Sequence, residues 1–285
     1  MPSAEILKAL EKLNRKDKMI DIIVPTHHGL PYVKSKLRLT MQCIESLYMN
    51  TKTPFHLIIV DDSKDRLTPV YLEELQKERG HEDITVIHSD KPYKSGNQIF
   101  NEAFKVCRAP YAAIVVNSVM VEKGWDEYPL DLMGSDPKIG ALGLKCVFPS
   151  GLIETCGIFV DGLIPKDIGR DLPGYAMNTT FSCEAVSWSF VVLRRDAIGK
   201  LDENTYHGFA GWDDIDNCFT LRKNGWKIVS CPLGVGVHYP RSTRLGSDPE
   251  SKQNLSRENG EIFYRKWGFW KQVQEARKEA IRNLN

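Results

Sequence analysis

No apolar run in the 285-residue chain approaches the roughly 20 residues that cross a bilayer as a helix, which argues against an integral membrane protein. Neither sign of charge is in excess. With 38 basic and 37 acidic residues and a net charge of +1, no long-range field draws the chain to nucleic acid or anionic lipid, so any anion site must be local. None of the seven cysteines (Cys43, Cys107, Cys146, Cys156, Cys183, Cys218, Cys231) stands in CxxC spacing, and their number is odd. Neither zinc nor a disulfide framework is indicated, and reduced thiols in the cytoplasm are the expectation. Internal repeats and low-complexity tracts are absent. No glycine-rich basic loop follows the first apolar run, which counts against the triphosphate chemistry of a nucleotidyltransferase.

What is present is an ordinary globular balance, 42% hydrophobic and 26% charged residues. The start, residues 1–18, is an amphipathic charged stretch that reads as a helix rather than a signal peptide. Contact with a membrane surface would come through that segment or through a partner. Met19 to Pro25 is a short apolar run ending in proline, as expected of a buried parallel strand. A helix over about Lys36 to Met49, a strand at Phe55 to Val60, a helix at Pro69 to Arg79, a strand at Ile84 to His88, a helix at Gly96 to Cys107 and a strand at Tyr111 to Val116 follow. This alternation predicts an α/β fold, a Rossmann-like, mostly parallel sheet flanked by helices. After Gly140 the pattern changes to a mixed sheet. An irregular segment spans Leu163 to Thr180, and a strand spans Ala185 to Leu193. A helix runs from Asp213 to Asn224, and the last strands are Trp226 to Val229 and Gly236 to His238.

In open α/β sheets ligands collect at the carboxyl ends of the strands. Pro25, Thr26, His27 and His28 follow the first strand, Asp61 and Asp62 the second, Lys91, Lys94 and Gly96 the third, Asn117 and Ser118 the fourth. An aspartate there can accept from a ribose or a base N–H, and Lys94 with the helix start at Gly96 can face phosphate; helix capping explains the same residues. In GWDDIDN, Gly211 and Trp212 deliver Asp213 and Asp214 to a helix start, with Asp216 close behind. Crowded carboxylates suit a general base or a metal site, and they also complement a helix dipole. His238 ends an apolar strand, where it can bind a metal or a phosphate oxygen or be a satisfied core histidine. Arg241, Arg244, Lys252 and Arg257 lie in a polar stretch able to close over a diphosphate.

The ordered series of segments resembles the family-2 inverting glycosyltransferases of GT-A fold, from about Ile22 to Gly268. IIVPTHH and LIIVDDSKD are similar to the family's opening strand and its acidic nucleotide-binding turn, and KSGNQIFNEAF to its NxGxxxAxN helix start, with Gly96 and Asn101 on matching positions. PSGLIETCGIFV, SWSFVVLRRDAI, the GWDDID helix, VHY and FYRKWG follow in the family's order.

The resemblance implies a nucleotide-sugar donor as co-substrate, with Pro25 and Thr26 lining the nucleobase pocket, Asp61 on the base, Asp214 as general base and Asp213 as its acidic neighbour. His238 would lie near the donor diphosphate as the candidate metal ligand. Trp188, with Trp212, would flank the acceptor, and the Trp188 ring could stack on a sugar. The family's acidic metal-binding pair should follow the fourth strand, where Asn117 and Ser118 stand instead. An amide and a hydroxyl are weak ligands for Mn²⁺ or Mg²⁺, so the need for a metal is left open. Residues 19–240 are expected to form the GT-A domain, 19–125 holding the donor and 126–240 the acceptor, with a loop and helix over 241–285. A glycan, a lipid-linked acceptor or a protein would receive the sugar; the oligomeric state is not readable. A non-catalytic carbohydrate- or nucleotide-binding module on the same fold is the alternative.

Overall fold

A computed structural model describes residues 20–27, 33–80, 83–161, 164–206, 208–240 and 249–282. The expected helix over 1–18 and the residues Arg241 and Arg244 lie outside the described residues. The elements are β1 (Ile20–Thr26), α1 (Val33–Asn50), β2 (Phe55–Asp61), α2 (Leu67–Arg79), β3 (Ile84–His88), α3 (Gly96–Val106), β4 (Tyr111–Val115), β5 (Val119–Val121) and α4 (Glu127–Ser135). There follow β6 (Ile139–Val147), β7 (Ile153–Thr155), β8 (Ile158–Asp161), β9 (Ile164–Asp167), β10 (Phe181–Ser182), β11 (Phe190–Arg194), α5 (Asp213–Lys223), β12 (Lys227–His238) and α6 (Pro249–Arg282).

One sheet runs in the order β10-β12-β6-β11-β4-β1-β2-β3, with β5 added to β12 and β7 to β6. β3, β2, β1 and β4 are parallel. β11 runs against both β4 and β6, and β12 runs with β6. The chain order therefore reverses beside β1, which opens a crevice at the carboxyl ends of β1, β2 and β4. Alternation along each strand divides the core into two layers. Ile23, Ile58 and Val60 face the cluster that includes Phe100 and Phe219, whereas Ile22, Val24, Leu57 and Ile59 face the one with Ile44, Leu47 and Leu72.

β1 carries one buried charge that its apolar run conceals. The carboxylate of Asp21, wholly shielded from solvent, accepts from the amides of Arg108 and Ala109 (2.7 Å each) and from His56 Nδ1 (3.0 Å). It thereby ties β1 to the turn between α3 and β4, as a buried carboxylate must be paired to persist.

The second half departs from the sequence reading in three places. Strand β11 begins only at Phe190, because residues 185–189 leave the sheet: Ala185 bridges Ile158, and Val186 packs so tightly on Gly143 that a Cβ there would lie 2.4 Å from it. The two expected final strands are one, β12, bulged between Cys231 and Val235. The segment expected to be irregular contains β9, which pairs with β8 as a separate hairpin. Part of the remainder is pinned by the buried Lys145, whose Nζ donates to the carbonyls of Gly174 (2.7 Å) and Met177 (3.1 Å).

α6 covers α5 with aromatic rings. Phe263 lies 4.9 Å from the Phe219 ring and 5.0 Å from that of Trp212, and Trp267 and Trp270 close on Phe219 at 5.7 and 5.6 Å. Among the described residues no helix is long and apolar enough to cross a membrane.

Candidate active site

The parallel register sets Thr26 opposite Asp61 and Asp61 opposite His88, so the ends of β1, β2 and β3 form one polar row. Asp61 is fully buried; its carboxylate accepts from His88 Nδ1 (2.8 Å) and from the amide of Ser63 (3.1 Å). Asp62 beside it accepts from His27 Nδ1 (2.7 Å) and from the amide of Tyr93 (2.8 Å). Two histidine–aspartate pairs thus wall the crevice. Between them the hydroxyl of Thr26, in a residue 1% exposed, has no hydrogen-bond partner among the described residues, which leaves a buried polar atom for a bound group to satisfy. Pro25 is half-buried one residue earlier in β1.

α3 begins at Gly96 after the N-cap Ser95, whose hydroxyl accepts from the Gln98 amide at 3.4 Å. Lys94 is exposed, and its own amide is turned to Gln98 Oε1 (2.7 Å). At Gly96 a Cβ would lie 2.8 Å from Asp213 Oδ2, so the carboxylate of Asp213 occupies the space against this helix start. Asn101 holds a scaffold. Its side chain exchanges hydrogen bonds with Leu201 N and O (3.0 Å each), fixing the segment that leads to α5.

α5 opens with Asp213 and Asp214. Asp214 Oδ2 accepts from the amide of Trp188 (3.4 Å) and Oδ1 from that of Ile215 (2.9 Å). Burial, then the neighbouring charge of Asp213 and more weakly that of Asp167, push the Asp214 carboxyl up to about 7, against those two amides. A carboxyl so placed can both hold and release a proton near neutrality. Asp216 does not join it. That side chain is 2% exposed and accepts from Tyr206 Oη (2.9 Å), Trp267 Nε1 (2.5 Å) and Lys266 Nζ (2.8 Å), so the third carboxylate of the motif is an anchor for α6.

Trp188, whose amide meets Asp214, is flanked by Ser187 and Ser189, which enter the wall of a cleft of about 640 Å³ together with Ser118, Glu154, Asp167, Arg170 and His238; Asp214 itself is not in that wall. His238, at the end of β12, meets Glu154 of β7 through Nδ1 at 2.5 Å. Asp167 of β9 pairs with Arg170 at 3.0 Å, and the guanidinium lies 5.3 Å from the centre of the Phe148 ring. Burial raises the Asp167 carboxyl, opposed by a hydrogen bond from Thr155 and by Arg170. Glu154, Asp167, Arg170 and Ser187 escaped the sequence reading; their meeting depends on β7 joining β6 and on the β8–β9 hairpin.

Ser118 lines this cleft and Asn117 precedes it, both nearly buried. The Asn117 amide donates to Thr40 Oγ1 (2.9 Å), and the Ser118 carbonyl accepts from Tyr239 N (2.9 Å). Among the described residues no three His, Cys, Asp or Glu side chains gather as a metal cage. Both carboxylates of the cleft are already engaged, Glu154 by the His238 imidazole and Asp167 by Arg170, so the donor set around His238 is a poor fit for a hard divalent cation. Trp188 and Trp212 are core residues, each 3% exposed, the first packed at a tilt on Phe100 (5.6 Å) and the second on Phe263. Neither offers a ring face to a sugar, which corrects the expectation that they flank the acceptor.

Residues 21–143 match the family described as Glycosyl transferase family 2. Over 265 residues the chain is 24% identical to an uncharacterized protein, y4gI, of Sinorhizobium fredii, covering 87% of this chain and 27% of that one. The chain thus spans about a quarter of the length of this curated relative. Among solved structures it is similar to GalNAc-T7 with UDP, GalNAc and Mn²⁺ (TM-score 0.64, 14% identity, 86% of this chain and 50% of that). It is also similar to Staphylococcus aureus TarS 1-349 in complex with UDP-GlcNAc (0.53, 14%, 86% and 66%). A third likeness is to the Pyrobaculum calidifontis mannosyltransferase PcManGT in complex with GDP-Man and Mn²⁺ (0.51, 13%, 93% and 80%). At such identities the likenesses show the fold, which is GT-A, and the resemblance to family-2 glycosyltransferases holds.

Proposed function

From the premise of a GT-A fold whose first half matches family-2 glycosyltransferases, we propose that this chain transfers a sugar from a nucleoside-diphosphate donor to an acceptor hydroxyl with inversion. Asp214 is the general base. It accepts the acceptor's proton as that oxygen attacks the anomeric carbon; the bond to the diphosphate breaks and the leaving group takes the electron pair. The observation that carries this reading is the half-buried Asp214 carboxylate, raised to about 7 at a helix start and bound to the amide of Trp188, whose neighbours Ser187 and Ser189 line a polar cleft. Three relatives of the same fold are described with UDP, with UDP-GlcNAc and with GDP-Man, which supports a nucleotide sugar as donor.

The nucleoside lies at the polar row of β1 to β3, where the Thr26 hydroxyl awaits a partner and where Pro25, His27 and Asp61 form the wall. The acceptor and the leaving diphosphate meet in the cleft of Glu154, Asp167 and Arg170, the diphosphate on the Arg170 side. Carboxylate and guanidinium groups of this kind suit the hydroxyls of a glycan.

A thermal-shift screen of UDP, GDP, dTDP and CDP tests the donor site, since binding to the native state raises apparent stability. Product analysis with the matching nucleotide sugar tests the reaction. Release of nucleoside diphosphate together with an inverted glycoside is expected; no shift with any of the four nucleotides would favour a non-catalytic module.

A further inference from the structure

The turn that delivers Asp213 and Asp214 is unusual in its backbone. Gly208, Phe209, Gly211 and Trp212 have φ of 69°, 51°, 83° and 81°, so four of five successive residues lie in the left-handed region. Phe209 and Trp212 are two of the three non-glycine residues with positive φ among the described residues. Side chains pay a steric penalty there, and such a conformation persists only where its surroundings over-determine it. Trp212 is also the residue before α5, and it makes no side-chain cap to the helix. The turn does not hold itself.

Apart from the Gly208 amide, which donates to the Lys94 carbonyl (3.1 Å), the contacts that hold it come from α6. The buried Asn259 donates through Nδ2 to the carbonyl of Gly211 (3.3 Å). One residue on, Gly260 lies so close to the Trp212 indole that a Cβ there would be 3.0 Å from Cζ2, and Phe263 covers the same ring. A turn further along, Lys266 and Trp267 both donate to Asp216, one helical turn inside α5. The two ends of the Asp213–Asp214 pair are thus held from outside, at Gly211–Trp212 before it and at Asp216 after it. All these contacts come from one 34-residue helix that supplies none of the cleft-lining residues.

We infer that α6 is the positioning element of the proposed base, with Asn259 and the Trp267–Asp216 pair as the residues through which it fixes the strained 208–212 turn and hence the place of the Asp214 carboxylate. The inference rests on the assignment of Asp214 as base. These residues touch neither donor nor acceptor, and they act through the backbone that carries Asp214. The half-buried state of that carboxylate, facing Asp213 on its own helix and Asp167 from β9, follows from the turn being held.

The test uses the full chain with ¹³C-labelled aspartate carboxyls, in which the Asp214 resonance is identified by its loss in Asp214→Asn. Asn259→Ala removes the hydrogen bond to Gly211, and Trp267→Phe keeps the aromatic packing while removing the N–H to Asp216. In each variant the Asp214 titration midpoint is expected to fall by a pH unit or more, as loosening of the turn lets water reach the carboxylate. Phe269→Ala, at an α6 position 79% exposed, is expected to leave the midpoint in place. A lower Tm with an unmoved midpoint in both variants would overturn the inference, since α6 would then be a cover and no more. Amide exchange in the wild-type chain serves should the variants not fold. Residues 208–216 are expected to open together with α6, and opening of that turn while α6 stays protected overturns the inference. Neither readout depends on turnover, so unchanged product formation by Asp214→Asn would sink the base assignment separately.

Discussion

Glu154 Oε2 and His238 Nδ1 stand 2.5 Å apart and join β7 to the end of β12 inside the cleft. A carboxylate on one ring nitrogen settles the tautomer and aim of the imidazole, leaving Nε2 as the nitrogen available to a bound group. Glu154→Gln retains the side chain's size and can still bond Nδ1, but it removes the charge. Turnover is expected to fall about 10-fold to 100-fold, the range usual for such supporting partners, with a smaller change in nucleotide affinity. Steady-state kinetics with calorimetry of nucleoside diphosphate binding separates the two effects.

The elevated Asp214 carboxyl makes a kinetic prediction with a definite sign. A general base works in its ionised form, so kcat is expected to rise with pH and level off above about 7. At pH 5 most of the chains would carry the protonated, idle form. Asp214→Asn is expected to lower kcat by roughly 10²–10⁴-fold and to abolish the pH dependence of what remains, while the nucleotide-induced thermal shift is retained. Unchanged product formation by this variant would falsify the base assignment.

The same carboxyl predicts a stability effect of opposite sense. Its pKa is higher folded than unfolded, so the native state holds that proton more tightly. The stabilisation is complete below the unfolded value of about 4 and is lost as pH rises to about 7, above which the ionised, buried group is a burden. Asp214→Asn should therefore raise Tm at pH 8, by a few degrees or on the order of 1–3 kcal/mol, and leave it nearly unchanged at pH 4. Equal Tm values at pH 8 would show that the group is not burdened in the fold.

How far the sequence could be read follows from which physical pattern each residue obeys. The first half was legible because buried parallel strands and amphipathic helices carry strong periodic signals; β3 at Ile84–His88 and the start of α3 at Gly96 fall where the pattern placed them. Asp216 was grouped with Asp213 and Asp214 although the signal that separates it was available. Residues two apart on a helix point about 200° from each other, so Asp216 could not share the exposed side of Asp214. Glu154 and Asp167 were invisible for a different reason. Each sits on a strand of three or four residues whose partner is set by tertiary pairing, and a lone acidic residue there reads as surface. Trp188 and Trp212 show the limit of carrying a position over from a family, since a matching place in the chain does not say which way a ring turns.

Asp21 supplies a prediction about the scaffold alone. Asp21→Ala would leave two amides and His56 without their carboxylate in a fully buried place. A loss of about 3 kcal/mol or more is expected, or roughly 5–10 °C in Tm, because unpaired buried donors bear their full desolvation cost. Urea unfolding measures it, and the nucleotide shift of the folded fraction should persist.

The last prediction concerns the metal. Developing charge on a leaving diphosphate must be met by something, and in this cleft the strand-end positions that could offer carboxylates are Asn117, its amide turned to Thr40, and Ser118. His238 contributes one ring nitrogen, its other nitrogen being engaged by Glu154. With Glu154 held by His238 and Asp167 by Arg170, a hard divalent cation gains little from the remaining imidazole nitrogen and hydroxyl, whereas a cationic side chain such as Arg170, already in the cleft wall, can meet a phosphate oxygen directly. Turnover in saturating EDTA is therefore expected to stay within about twofold of that in Mn²⁺. The double variant Asn117→Asp, Ser118→Asp supplies the missing carboxylates and should make turnover Mn²⁺-responsive. Activity lost in EDTA and restored by Mn²⁺ in the unaltered chain would instead mean that the diphosphate itself completes a cation site around His238, and the cationic route would then be wrong.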